Sequence, residues 1–116
     1  MTNREFKITL QECLMKIKES LDIKGNEYAS GTDRLSNFKK AARFRSTTPE
    51  DALMGFVIKH IIALQDFIER EKQLPGRVGN ISNEQWDEKI FDICNYMLLL
   101  KCLRNDLNKR KQVENG

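Results

Sequence analysis

The sequence predicts an all-α protein with a four-helix, bundle-like architecture. Apolar residues recur at three- and four-residue steps over long segments, which is the period of an amphipathic helix. No segment alternates polar and apolar residues with the period of two that is typical of a strand. The 116 residues, of which 40% are hydrophobic and 32% charged, suffice for one small domain and exclude two large ones.

The first half of the chain is predicted to form two helices. The apolar stripe of the first helix consists of Leu10, Leu14, Ile17 and Leu21. This pattern ends near Gly25, and the segment 24–32 is predicted to be a loop because it is rich in Gly, Asn and Ser. Asp33 is predicted to cap a short second helix. The apolar residues of that helix are Leu35, Phe38, Ala41, Ala42 and Phe44.

The second half predicts two longer helices. Thr48 is a capping residue followed by a proline and two acidic residues, so the third helix is expected to begin there and to run to about Lys72. Residues 74–80 are predicted to form a connection. Ser82 is predicted to cap the fourth helix, with Gln85 in the capping-box position.

The apolar pattern of the fourth helix dissolves after Leu107. We therefore expect one helical domain over residues 1–107 and a basic, flexible tail over residues 108–116. The broad apolar surface of the third and fourth helices predicts a homo-oligomer, either a dimer or a tetramer.

Charge and hydropathy indicate the cellular setting. No segment approaches the roughly 20 apolar residues of a membrane span, and the N-terminus has no apolar block typical of a signal peptide. We expect a cytoplasmic protein without a membrane partner. Cys13, Cys94 and Cys102 lie in apolar helical patterns and are interpreted as core residues rather than as disulfides or zinc ligands.

The net charge of +3 is unevenly distributed. The segment 33–45 carries five positive residues and one negative residue. The segment 101–116 carries five positive and two negative residues. The total is too small to predict a nucleic-acid partner. However, the segment 33–45 combines cations, amide and hydroxyl donors and aromatic rings, a mixture that suits a nucleotide. The alternative interpretation is an ordinary solvated helix face.

Polar residues also interrupt the apolar stripes of the last two helices. Glu88, Asp92 and Asn95 follow one another at steps of four and three residues, so they share one row of the fourth helix. This row predicts either an internal hydrogen-bonding pair or a carboxylate that faces a ligand or a metal. On the third helix, His60 has the position of a core residue, whereas Lys59 requires an anion or access to solvent.

Three strings carry a resemblance to known proteins: TDRLSNFKKAA (32–42), TPEDALMGFVIKHIIAL (48–64) and WDEKIFDICNYMLLL (86–100). Together they resemble a group of small phage-encoded helical proteins described as nucleotide-modification-associated, over residues 28–103. The fourth helix is also similar to that of the MazG-like all-α nucleoside triphosphate pyrophosphatases. In that family, acidic pairs three residues apart on neighbouring helices hold magnesium.

The chain departs from the MazG-like pattern at two places. Glu88 and Asp92 are four residues apart, and Lys59 and His60 occupy the facing helix where a second acidic pair is expected. A site with built-in cations neutralises phosphate without a metal. These departures therefore disfavour hydrolysis and favour binding. The resemblance to small helical phage proteins suggests a sponge of the anti-CBASS type, which sequesters a cyclic nucleotide of host immune signalling in the host cytoplasm.

The predicted function is thus to bind a cyclic or linear nucleotide, with no catalytic residue and no cofactor. The cations expected to meet phosphate are Arg34, Lys39 and Lys59. The rings expected to stack on a base are Tyr28 and Phe38. The side chains expected to read base or ribose edges are Asn37, Asp92 and Asn95, with His60 as a further contact.

The sequence is also compatible with two other functions. The first is a MazG-like pyrophosphatase or a nucleotide-modification accessory enzyme, which would bind Mg²⁺ through Glu88 and Asp92. The second is a nucleic-acid-binding accessory protein that uses the second helix and the basic tail.

Overall fold

The computed structural model describes residues 1–28, 33–74 and 81–115, with side chains described except at 24–28 and 115. These residues form four helices and contain no strand, which confirms the predicted all-α class. The helices are α1 (Asn3–Tyr28), α2 (Ser36–Phe44), α3 (Pro49–Lys72) and α4 (Asn83–Asn115). The first helix continues past Gly25, so the predicted end was wrong by about one turn, and residues 29–32 of the predicted loop lie outside the described residues.

The helix starts on α3 and α4 follow the predicted caps. Thr48 Oγ1 accepts a hydrogen bond from the backbone N–H of Asp51. Ser82 Oγ accepts from the N–H of Gln85, whose Oε1 accepts from the N–H of Ser82, completing the capping box. On α2 the predicted start was two residues too early. The N-cap residue is Leu35, and Asp33 Oδ1 accepts a hydrogen bond from the N–H of Leu35 ahead of the helix.

Helix α4 continues beyond Leu107, where the sequence pattern predicted fraying. The segment 108–115 lacks an apolar stripe but contains lysine, arginine, glutamine and glutamate, which favour helix. Arg110 also lies 3.8 Å from Asp106, one helical turn earlier. The flexibility of this segment and the domain boundary at Leu107 remain predictions.

Helices α3 and α4 pack side by side in opposite directions. Near one end, Arg104 Nη1 donates to Glu50 Oε2 at 3.0 Å, and near the other, Trp86 Nε1 donates to Glu71 Oε1 at 2.9 Å. Helix α2 packs on α3. The buried apolar residues cluster where α2, α3 and α4 meet. They are Leu35, Ala42, Ala52, Leu53, Val57 and Leu103.

Helix α1 packs on α4 and runs in the same direction. Lys16 Nζ lies 3.9 Å from Asp87 Oδ2, and Asn95 Nδ2 donates to Ser20 Oγ one to two turns further along both helices. Because α4 begins only at Asn83, it does not extend alongside the N-terminal half of α1. The apolar side chains of that half are accordingly exposed.

Two predictions about residue environment have different outcomes. Among the described residues, no helix is long and apolar enough to cross a membrane. Cys13 and Cys94 are half-buried, but Cys102 is exposed, so its interpretation as a core residue was wrong. Cys102 falls one helical step outside the buried line that contains Leu99 and Leu103.

Candidate functional site

The α3–α4 interface brings His60 and Asp92 together. His60 lies one turn from the buried Val57, on the face of α3 that packs on α4, and Asp92 occupies the facing position. His60 Nδ1 lies 3.6 Å from Asp92 Oδ2, too far for a hydrogen bond but close enough for electrostatic attraction when the imidazole is protonated. The two side chains are only 19% and 14% exposed.

Asn95 extends this polar cluster toward α1. The residue is buried, and its Nδ2 donates to Ser20 Oγ at 2.9 Å. Its Oδ1 and His60 Nδ1 are buried atoms without a hydrogen-bond partner in the described structure. A buried polar atom costs stability when it has no partner, so these two atoms are the candidate positions of the cluster for a further hydrogen bond.

Aromatic rings line one side of the cluster. The Tyr96 ring lies 5.6 Å from the His60 ring and is stacked on Phe56 at 6.3 Å, with an angle of 8° between the planes. The Phe38 ring meets both Phe56 and Tyr96 edge-on. Phe38, predicted to stack on a base, is therefore engaged in protein packing, while Phe56 keeps 41% of its surface exposed. We define the His60 site as Phe56, His60, Asp92, Asn95 and Tyr96.

Lys39 lies outside the His60 site and holds α2 against α4. Its Nζ donates to Asp33 Oδ2 at 2.7 Å and to Asp106 Oδ2 at 2.8 Å. These hydrogen bonds, with that to Asp106 the stronger influence, raise the pKa of Lys39 above its ordinary value. The hydrogen bonds that Lys39 donates lower the pKa of both carboxyl groups. The Lys39 charge is thus already balanced within the protein.

The other predicted site residues are distributed more widely. Arg34 Nη2 donates to the backbone oxygen of Leu21 at 3.0 Å, which ties the entry of α2 to α1. Asn37 is exposed on α2, and Glu88 is exposed on α4. Lys59 is exposed on α3, adjacent to His60 in sequence and turned about 100° further from α4. The Tyr28 side chain lies outside the described residues.

The magnesium alternative would use Glu88 and Asp92. Asp92 faces a histidine, and the nearest carboxylate in its row is the exposed Glu88. Within residues 1–28, 33–74 and 81–115, no group of three or more His, Cys, Asp or Glu side chains is placed to hold a metal ion. The MazG-like resemblance implies several carboxylates on neighbouring helices, whereas the residue across from Asp92 is His60.

Three contributors to these sites were missed at the sequence level. Ser20 lies beside the apolar stripe of α1 and not in it, so the apolar pattern did not indicate its contact with Asn95. Tyr96 lies one residue beyond the row that contains Asp92 and Asn95. No sequence pattern indicated the contact of Asp106, because its partner Lys39 is 67 residues away in the chain.

Comparisons with protein-family models, with curated proteins and with solved structures find no match to this chain. The phage resemblance therefore stays a prediction. The fold and the candidate site of the chain define an all-α protein with a half-buried His–Asp pair beside an aromatic cluster.

Proposed function

We propose that the chain binds a nucleotide at the His60 site and sequesters it without hydrolysis. The observation that carries this proposal is the pair of buried atoms, His60 Nδ1 and Asn95 Oδ1, that have no hydrogen-bond partner in the described chain. They lie beside a carboxylate and a partly exposed aromatic ring. This combination of acceptors and ring surface suits a base with its ribose.

Each group has a role that follows from its chemistry. Asn95 Oδ1 accepts a hydrogen bond from an exocyclic amine or a ribose hydroxyl. The Asp92 carboxylate offers further acceptor capacity, and His60 Nδ1 donates or accepts according to its tautomer. The exposed part of Phe56 provides a stacking surface. We assign the phosphate contact to Lys59, because Arg34 and Lys39 already donate to protein acceptors.

The finer parts of the proposal come from the resemblance. It suggests a cyclic dinucleotide as the ligand, a phage as the source, evasion of host immunity as the role, and a homo-oligomer as the working form. Binding without hydrolysis is supported by the donor set, since Asp92 faces a histidine instead of a second acidic pair. The competing function is the MazG-like pyrophosphatase, and the experiment below distinguishes the two.

Isothermal titration calorimetry with a panel of cyclic dinucleotides, mononucleotides and the matching nucleosides tests the proposal. We expect a saturable signal for at least one nucleotide. Lys59→Met should weaken its binding about three- to tenfold, as expected for one partly screened charge-assisted contact. The same variant should leave nucleoside binding unchanged. Lys101→Met, which removes the same charge from an exposed position of α4, is the matched control.

Three outcomes would overturn the proposal. The first is a flat titration across the whole panel. The second is release of pyrophosphate or monophosphate when the ligand is incubated with the protein and Mg²⁺, which would establish the hydrolase. The third is binding only to an oligonucleotide, with affinity that falls steeply with salt and weakens on deletion of residues 108–116, which would establish the nucleic-acid-binding protein.

A further inference from the structure

Gly55, in the interior of helix α3, lies against the side chain of Arg45. Arg45 follows helix α2, and its guanidinium Nη1 is 3.0 Å from the position that a Cβ atom on Gly55 would occupy. This distance is shorter than an ordinary van der Waals contact. A glycine in a helix interior is destabilising relative to alanine, and here its missing Cβ lets the guanidinium approach α3. Arg45 itself remains exposed to solvent.

Lys59 is directed to the same part of the α3 surface. It lies one turn after Gly55, in the same row of the helix. Long side chains in a helix point toward its N-terminus and cover the preceding turn, which here contains Gly55 and Phe56. The Lys59 ammonium group and the Arg45 guanidinium group therefore share a small area over Gly55. We call Arg45 and Lys59 the cation pair.

The cation pair has no counterion among the residues that the structure describes. Neither Arg45 nor Lys59 forms an ion pair or a side-chain hydrogen bond with a described residue. Asp51, one turn before Gly55 in the same row, accepts a hydrogen bond from Thr47 Oγ1 at 2.7 Å, which holds its carboxylate at the start of α3. Two positive charges at close range repel each other, and an anion that contacts both relieves this repulsion. The area over Gly55 is therefore a candidate anion site.

The position of the cation pair favours a phosphate group as the anion. Phe56 precedes Lys59 by three residues, and the helical period places its partly exposed ring between Lys59 and His60 around α3. A ligand that stacks on Phe56 therefore has the cation pair on one side and His60 on the other. The two cations also supply complementary contacts. The planar guanidinium fork matches two phosphate oxygens, and the ammonium group adds a compact charge.

We propose that Arg45 and Lys59 together form the phosphate-binding subsite of the His60 site. Arg45 was not among the cations expected from the sequence to meet phosphate, because only the fold brings it next to α3. The ligand is accordingly a nucleotide held by two cations, and a nucleoside makes neither contact. The identity of the ligand as a nucleotide rests on the proposed function, whereas the anion site rests on the cation pair alone.

Calorimetric titration of nucleotides and nucleosides into wild-type protein, Arg45→Met and Arg43→Met tests the subsite. Arg43 is exposed two residues earlier, about 200° away around α2, so Arg43→Met removes the same charge as a matched control. Arg45→Met should weaken nucleotide binding about three- to tenfold and leave nucleoside binding unchanged. Equal nucleotide affinities of Arg45→Met and Arg43→Met would overturn the subsite and leave the proposed function standing.

Inorganic pyrophosphate is the second probe, and it decides the subsite if no nucleotide of the panel binds. Pyrophosphate carries the phosphate chemistry without a base, and phosphorus NMR follows its binding to the protein. We expect a saturable change for wild type and Arg43→Met, and binding at least about threefold weaker for Arg45→Met. This result would retain the anion site while the proposed function fails. Pyrophosphate that binds none of the proteins, or binds both variants equally, would overturn the subsite as well.

Discussion

Lys39→Met is expected to destabilise the fold while leaving nucleotide affinity unchanged. Lys39 is only 18% exposed, and its ammonium group bridges Asp33, ahead of α2, and Asp106 on α4. Methionine keeps most of the aliphatic stem and removes the charge. The substitution thus leaves the packing of α2 largely intact while removing its ionic link to α4.

The size of the effect follows from the exposure of the three groups. A hydrogen bond to a charged group contributes about 1.5–3 kcal/mol, whereas an exposed ion pair contributes about 0.2–1 kcal/mol. Asp33 and Asp106 are 47% and 36% exposed, so solvent screening places both pairs near the lower range. For the two pairs together, we expect a loss of about 0.4–2 kcal/mol in the free energy of unfolding at neutral pH. Lys111→Met, on the exposed end of α4, should change it by less than about 0.5 kcal/mol.

The same difference should depend on pH in a defined way. The pKa values of Asp33 and Asp106 are lowered below 3.8 in the folded state, so their contribution is complete above that value and is lost as pH falls through the lowered values. The pKa of Lys39 is raised above 10.5, so its contribution is complete below that value and is lost as pH rises through the raised value. The gap between wild type and variant should therefore be widest between about pH 5 and 10.

Urea unfolding followed by circular dichroism, at one protein concentration and a series of pH values, measures this gap. A variant as stable as wild type at pH 7 would refute the structural role of Lys39. So would a variant of unchanged stability that no longer binds nucleotide, because that result would return Lys39 to the ligand-binding set.

Two further substitutions test the fold. Thr48→Ala removes the acceptor for the Asp51 N–H and should cost about 1 kcal/mol in urea unfolding, and an unchanged midpoint would show that the cap does not stabilise α3. Leu53→Ala empties a fully buried position and should cost about 2–5 kcal/mol, against less than about 1 kcal/mol for Leu107→Ala on an exposed face. Similar costs for the two leucine variants would contradict the placement of the core.

The parts of the fold that were predictable are those encoded by neighbouring residues. The start of α3 follows from Thr48 and the proline and acids after it, and the start of α4 follows from Ser82 and Gln85. The row that contains Asp92 and Asn95 was also readable, because helical spacing alone places these residues together. The continuation of α1 past Gly25 could not be predicted, because the composition of the segment 24–32 favoured a turn.

The hydrogen-bond partners of the polar residues could not be predicted from neighbouring residues in the sequence. Asn95 bonds to Ser20 across 75 residues, and Lys39 bonds to Asp106 across 67. The helical period predicts on which face of its helix a side chain lies, but it does not predict which other helix covers that face. Of the two alternatives for this row, the structure shows an internal hydrogen bond at Asn95 Nδ2, and a contact with a ligand stays a prediction.

Lys39 and Lys59 show why charge alone does not identify a phosphate-binding residue. Both lysines interrupt apolar patterns, but Lys39 lies within hydrogen-bonding distance of two carboxylates, whereas Lys59 is exposed beside the unsatisfied His60. A cation that already donates to carboxylates must break those hydrogen bonds to meet phosphate, which offsets the gain. Replacing each lysine with methionine should therefore separate two properties. Lys39→Met should lower stability without changing affinity, and Lys59→Met should lower affinity without changing stability. A reversal of these two effects would place the ligand on α2.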